Sequence, residues 1–244
     1  MEFVQKAVRT GKYQGADGQA FSLNRKMLSA SLKGAVMLLT VPAPSGSYAP
    51  RKTEGLSLEV VAEDTLEAVQ HLATEGLVNP AVLVFASDTN PGGSRKAANV
   101  GTQEEALCRQ STLRLGQEQL TYPIPTLGVA YVPQVQGLLP SGIVVFGGIC
   151  AALRQCLASE SPTAKETEFL EAKVASVLGT AVAFGHRNLV LGAWGCGAFG
   201  NPPEVVSGAF ASVLRSAAFE GAFDRVVFAI PNDQLRRTFQ VAFE

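Results

Sequence analysis

Six short apolar runs constrain what this chain of 244 residues can fold into. They lie at 35–41, 81–85, 127–132, 143–146, 189–191 and 226–230, rich in β-branched residues and bounded by Gly, Pro or polar residues. Runs of this length and makeup read as buried strands. Between them the apolar period lengthens to that of a helix. At 65–75, Leu66, Val69 and Leu72 fall near one face. At 167–184, Leu170, Val174, Val177 and Leu178 recur, and Gly185 offers a C-cap. At 204–218, Val206, Phe210 and Val213 repeat the pattern. Strand and helix patterns that alternate predict an α/β sandwich with helices on both sheet faces. The stretch at 41–52, rich in Pro, Ala, Ser and Gly, reads as a loop. We expect a single domain over 1–244, with residues 1–52 as an N-terminal extension packed on its core.

Composition narrows the function. A formal net charge of −1 argues against a general polyanion binder, which usually shows a basic excess. Backbone amides can still bind a small anion. Cys108, Cys150, Cys156 and Cys196 match no paired zinc spacing, and only His71 and His186 accompany them. The thiols read as reduced and mostly buried, and no metal or cofactor is expected. The N-terminal MEFVQKAVRTGKY has no apolar core of a signal peptide, and no uncharged apolar run is long enough to span a bilayer. The expectation is a cytoplasmic (or nucleocytoplasmic) monomer without a membrane partner or sequence-specific nucleic-acid binding.

Two loops carry the chemistry. The first, 88–105, follows a strand and precedes a helix, so it lies at the carboxyl edge of the sheet, where open α/β sheets bind ligands. Gly92 and Gly93 permit positive φ or a close approach of backbone to ligand. Thr102-Gln103-Glu104-Glu105 then reads in two ways. It fits a capping box, in which Glu105 bends back to the Thr102 amide. It also sets two carboxyls at a helix N-terminus, pointing roughly 100° apart given about 3.6 residues per turn, so they do not face each other. Cys108 reads as a small buried residue.

The second loop, LVLGAWGCGAFGNPPEVV at 189–206, runs from a strand through four glycines, Gly192, Gly195, Gly197 and Gly200, into a helix start. Pro202 and Pro203 suit a first helical turn and Asn201 suits an N-cap. Strand, Gly-rich loop and helix N-terminus together are a recipe for binding diphosphate. No Lys-Ser/Thr pair makes it a Walker loop, and a Rossmann fingerprint would be out of place this late in the chain. Phe199 reads either as core or as a stacking surface, Trp194 as packing. Cys196 has no histidine adjacent in sequence to activate it.

Together the loops resemble the microbial-type poly(ADP-ribose) glycohydrolase family, a branch of the macrodomains. Its signature is a Gly-Gly-Gly run, a short linker and Gln-Glu-Glu. Here these are Gly92-Gly93-Ser94, the linker 95–102, and Gln103-Glu104-Glu105, with 85–91 (FASDTNP) and 106–113 (ALCRQSTL) as matching flanks. The second loop is similar to the family's phosphate loop. Weaker likeness at 11–13, 48–50, 127–146 and 226–230 extends it over most of the chain.

The resemblance implies a three-layer α/β/α macrodomain with a mixed, largely parallel central sheet and ADP-ribose across the strands' carboxyl ends. It implies an enzyme that hydrolyses the ribosyl O-linkage of poly(ADP-ribose), or of related ADP-ribosylated targets, and releases ADP-ribose. By position, Glu105 would be the catalytic acid and Glu104 would hold hydroxyls of the distal ribose. Asn90 and the backbone of Gly92 and Gly93 would position that ribose, and Gln103 belongs to the same substrate-binding set. Gly195, Cys196, Gly197, Ala198 and Phe199 would wrap the diphosphate, with Phe199 near the distal ribose. Adenine contacts are expected near 231–233.

Three departures stand out. Ser94 replaces the third glycine, and the linker lacks the usual apolar-then-Gly pattern. Gly147 stands where a basic residue is expected after the strand at 143–146. The alternative is a non-catalytic or weakly active reader or sensor of ADP-ribose or another NAD-derived nucleotide. A phosphatase acting on ADP-ribose-1″-phosphate would use the same cleft.

Overall fold

A computed structural model describes residues 2–41, 55–93, 101–153 and 162–244. The reading of 41–52 as a loop, Ser94, the linker to residue 100 and Cys156 therefore lie largely or wholly outside the described residues. Helices are α1 (Glu2–Thr10), α2 (Arg25–Gly34), α3 (Thr65–Thr74), α4 (Gln103–Gln110), α5 (Leu113–Gln117), α6 (Ala164–Ala183), α7 (Pro203–Leu214) and α8 (Asp233–Phe243). Strands are β1 (Lys12–Gln14), β2 (Ala20–Ser22), β3 (Val36–Leu38), β4 (Ser57–Val61), β5 (Ala81–Phe85), β6 (Val129–Leu139), β7 (Gly142–Ala151), β8 (Asn188–Leu191) and β9 (Arg225–Ala229).

β5 shows why the sheet is two-sided. Its AVLVF run is apolar at every position, so successive side chains bury on opposite faces. Leu83 packs with Leu170 of α6 and Phe210 of α7. Val82 and Val84 pack with Leu72 of α3 and Leu107 of α4. Each such buried side chain contributes roughly 1.5–3 kcal/mol by leaving water. The sheet order is β3-β6-β7-β5-β8-β9-β4. β7, β5, β8, β9 and β4 run parallel, while β3–β6 and β6–β7 are antiparallel. The expected three-layer arrangement with a mixed, largely parallel sheet is what is found.

The connections create a crevice. The adjacent strands β5 and β8 send their helices, α4 and α7, to opposite faces of the sheet. Strand carboxyl ends open outward at such a switch point, which is where α/β sheets take ligands.

Several boundaries differ from expectation, each for a physical reason. The N-terminal stretch is more than a packed extension, because β3 is hydrogen-bonded to β6 as a strand of the main sheet. β6 and β7 are longer than predicted. β6 continues through a register shift between Val132 and Val135, with Gln134 at φ 49°. β7 runs on through Gly147 and Gly148, glycines that conceal strand character in a sequence. A Cβ on Gly147 would lie 2.5 Å from His186 Nε2 and 2.9 Å from the Tyr131 hydroxyl. The space is filled by a Tyr131–His186 hydrogen bond of 2.7 Å. His186 Nδ1 faces the Asn79 carbonyl at 3.1 Å, so Nδ1 carries the proton and Nε2 accepts from tyrosine. Gly147 pairs with Ala81, at the amino end of β5. The basic residue expected at 147 has neither room there nor a position near the carboxyl edge.

The sequence pattern does not mark β4, because Glu59 interrupts its apolar run. Nor does it mark α1, α2 and α8, narrow amphipathic helices each with few buried positions. α6 starts earlier than predicted, at a capping box of Thr163 and Glu166, and ends as expected before Gly185, at φ 75°. α7 begins at an N-cap Pro202 without a side-chain bond. Asn201, predicted as that cap, instead turns its amide to the Gly195 carbonyl at 3.2 Å.

Gly147→Ala is expected to cost about 1–3 kcal/mol by forcing Tyr131 and His186 apart. Urea denaturation checks it, and an unchanged midpoint would show that the pair relaxes freely.

Candidate functional site

The first loop leaves β5 and is tied down by the first turn of α4. The Phe85 N–H donates to Gln103 Oε1 at 2.8 Å. Gln103 Nε2 donates to the Leu83 carbonyl at 2.9 Å and to Thr65 Oγ1 at 3.0 Å. The Gln103 amide thus couples β5, α3 and α4. Its polar atoms face the protein rather than a ligand, a placement the sequence motif does not reveal.

Glu104 is 1% exposed. The Ser87 N–H donates to its Oε2, and Gln117 Nε2 to its Oε1, each at 2.8 Å. The Gly92 backbone amide lies near the same carboxyl and also favours its charged form. Burial pushes this carboxyl up to about 7, against the pull of these three groups and with a further push from Glu105. Ser87 and Gln117 were absent from the sequence-derived site. Ser87 lies in the matched flank, but nothing in the spacing marks Gln117.

Glu105 is 6% exposed and does cap its helix. The Thr102 N–H lies 3.3 Å from Glu105 Oε2, and the Glu105 N–H donates to Thr102 Oγ1 at 3.4 Å. Its carboxyl also packs under the glycine turn. Gly93 has φ 74°, and a Cβ there would lie 2.9 Å from Glu105 Cγ and 3.3 Å from Glu104 Oε2. Gly92, at φ 75°, lies against the Arg114 side chain. Both glycines are needed for positive φ and for close approach. The turn is closed by the Gly93 N–H donating to the Asn90 carbonyl at 3.0 Å, and the Asn90 side chain is exposed at its rim.

The second loop leaves β8 alongside. Gly192 seats it on the first, since a Cβ there would lie 2.9 Å from the Phe85 ring. Trp194 is core, its Nε1 donating to the Ala151 carbonyl at 3.1 Å. Buried Lys173 of α6 stands 5.8 Å from that ring and donates to the Thr126 carbonyl. Gly195 has φ 73°, with Leu153 and the Asn201 amide filling the space where a side chain would go. Gly197, Ala198 and Phe199 are exposed, and among the described residues their N–H groups meet no backbone carbonyl. Phe199, 36% exposed, is not core. Amides presented ahead of the α7 N-terminus suit an anion with two phosphates. Cys196 is half-buried, its Sγ 3.6 Å from the Trp194 carbonyl, and burial pushes its thiol up to about 12. That disfavours the thiolate a nucleophile needs.

The structure therefore brings both sequence-derived loops to neighbouring strand ends. Among the described residues no cluster of metal-ligating side chains occurs, and no helix is long and apolar enough to cross a membrane. A cavity of about 290 Å³ adjoins the first loop, between the α3 and α4 N-termini, and reaches Phe85 and Pro231. A larger one, about 580 Å³, lies away from the site at β4 and the α8 C-terminus.

The Glu104 carboxyl links site and stability. Its value in the fold lies above its free value of 4.5, so the proton favours the folded state. The contribution is full below about pH 4.5 and is lost as pH rises through about 7. Relative to Glu104→Gln, wild-type unfolding free energy is expected to fall by about 3 kcal/mol across that window and to level off above it. Denaturant titrations at several pH values check the slope.

The family model for the microbial-type poly(ADP-ribose) glycohydrolase catalytic domain matches residues 2–123. Comparison with curated proteins gives no match. Among solved structures, poly(ADP-ribose) glycohydrolase from Thermomonospora curvata is 25% identical, with a TM-score of 0.84 over 99% of this chain and 97% of that one. The same protein bound to the inhibitor ADP-HPD is 27% identical, with a TM-score of 0.80 over 98% and 96%. The Deinococcus radiodurans glycohydrolase in complex with ADP-ribose is 28% identical, with a TM-score of 0.71 over 89% and 97%. A glycine turn over two glutamates, a second glycine loop on the next strand and these matches lead to one conclusion: the chain belongs to the microbial-type poly(ADP-ribose) glycohydrolase family.

Proposed function

We propose that this protein hydrolyses poly(ADP-ribose) and releases ADP-ribose, with Glu105 as general acid and base. The observation that carries the reading is the packing of Gly93 directly on the Glu105 carboxyl, beside Glu104, at the strand ends next to the second glycine loop. Family membership and the ADP-ribose complex of the Deinococcus relative support it. The Gly195–Phe199 stretch, through Cys196, Gly197 and Ala198, holds the diphosphate. Glu104, Asn90 and the Gly92–Gly93 backbone hold the distal ribose. Gln103 acts by fastening α4 to β5 rather than by touching substrate.

The chemistry follows from that arrangement. Breaking the bond between the anomeric carbon and its oxygen passes through an oxocarbenium-like state. Glu105 protonates the departing oxygen, then takes a proton from the water that attacks the anomeric carbon. Clamping the diphosphate holds that carbon over the carboxyl and removes much of the entropic barrier. We further propose a monomeric, cytoplasmic protein forming a single domain.

Capping and catalysis by Glu105 can be separated. Glutamine serves in the third position of a capping box as glutamate does, but it cannot donate an acidic proton. Glu105→Gln is expected to hold Tm within a few degrees and to slow ADP-ribose release by about 10²–10⁴-fold. Thr102→Val removes the cap partner instead, costing about 0.5–2 kcal/mol of stability with turnover largely retained. A polymer-release assay and thermal melts on both variants decide it. If Glu105→Gln keeps full activity, the acid assignment is wrong. If the wild type binds ADP-ribose in calorimetry but releases none from polymer, the protein is a reader.

A further inference from the structure

Behind Glu104 lies a sealed polar cluster. Gln117, at the end of α5, is 0% exposed, and its amide has no route to substrate except through Glu104. Its Nε2 donates to Glu104 Oε1 at 2.8 Å and lies 3.4 Å from Cys150 Sγ on β7. Its Oε1 accepts from Cys108 Sγ on α4 at 3.4 Å. The Tyr122 hydroxyl is buried against the same amide without bonding geometry to any described group.

The chemistry of the partners sets which way the amide points. Burial pushes the thiols of Cys108 and Cys150 well up, so both stay protonated. The Cys108 S–H is then a permanent donor facing Oε1, and only Nε2 is left to face the carboxylate. An ionised carboxylate accepts at about four lone-pair sites, of which Ser87 and Gln117 occupy two. Acceptor capacity remains for ribose hydroxyls.

We propose that Gln117 is a positioning residue of this site. Clamped by Cys108 and Cys150, its amide holds Glu104 in the orientation and ionised form that accept the ribose hydroxyls. The proposal rests on the ribose role given to Glu104 above. The titratable groups around that carboxyl are Glu105 and Cys108 on α4, Cys150 on β7 and Tyr122 before β6. Arg114 of α5 is nearby, beside Gly92 and paired with Glu118 at 2.8 Å. Gln117 is the neutral side chain among them that donates directly to the carboxyl.

The test uses Gln117→Met, which keeps length but removes the donor, and Gln117→Glu, which keeps shape. In ligand-free full-length protein, the Glu104 carboxyl carbon resonance reports its titration. Losing the donor is expected to raise the midpoint by about one pH unit. ADP-ribose affinity at pH 7 then falls about fivefold and recovers near pH 9, because the ionised fraction sets the competent population. In Gln117→Glu a second carboxyl faces Glu104, and the pair loses its last proton at higher pH still. If Gln117→Met does not fold, Gln117→Glu gives the same reading. A midpoint that stays put while Tm falls means that Gln117 only packs, and overturns the proposal. A midpoint that moves while affinity at every pH does not also overturns it, and takes the ribose role of Glu104 with it. Both readouts are independent of turnover, so loss of the Glu105 assignment would leave them intact.

Discussion

The end of β5 is closed by side chains from the first turn of α4, and the site depends on that closure. Gln103 takes the Phe85 N–H and gives to the Leu83 carbonyl, and Glu104 takes the Ser87 N–H. A strand end buried beside a neighbouring helix would otherwise leave backbone groups unpaired, at about 1–3 kcal/mol each. The same bonds fix where α4 begins. They set Glu104 and Glu105 beneath the glycine turn, one and two residues after the amide that anchors them.

That closure reconciles the two readings of Glu105. A cap requires the carboxyl to lie at the helix N-terminus, over the free amides. An acid for a ligand at the sheet edge requires the same place. The glycine turn adds the third constraint, because Gly93 packs on the Glu105 side chain and admits no Cβ. Glu104 lies deeper, and burial pushes it toward neutrality while three neighbouring groups pull it back. The two adjacent carboxyls therefore differ in environment, one at the turn and one walled in by Gln117, Cys108 and Cys150.

The second loop works by a different physical means. Trp194 and Asn201 anchor it inward, while Gly197, Ala198 and Phe199 face outward ahead of α7. The two loops meet because β5 and β8 are neighbours whose helices cover opposite faces of the sheet. No local pattern states that adjacency.

Local chemistry made much of this legible in the sequence. The β5 run, apolar at every position, announces a strand buried on both sides. Thr102-x-x-Glu105 announces a helix start, and the glycines at 92–93 and 192–200 announce turns that bring backbone close. These depend on neighbours in sequence, which a sequence displays. The rest needed partners distant in the chain. β7 continues through Gly147 because His186 and Tyr131, far apart in sequence, occupy the space beside it. Asn201 serves the loop rather than the helix because the Gly195 carbonyl is within reach. Gln117 reaches Glu104 only because α5 folds back beside α4 on β6, which brings the Gln117 amide to Cys150 of β7. Sequence alone determined which residues can turn, cap and carry acid. Tertiary structure decided which of them meet, because burial and hydrogen-bond partners are set by packing across the sheet.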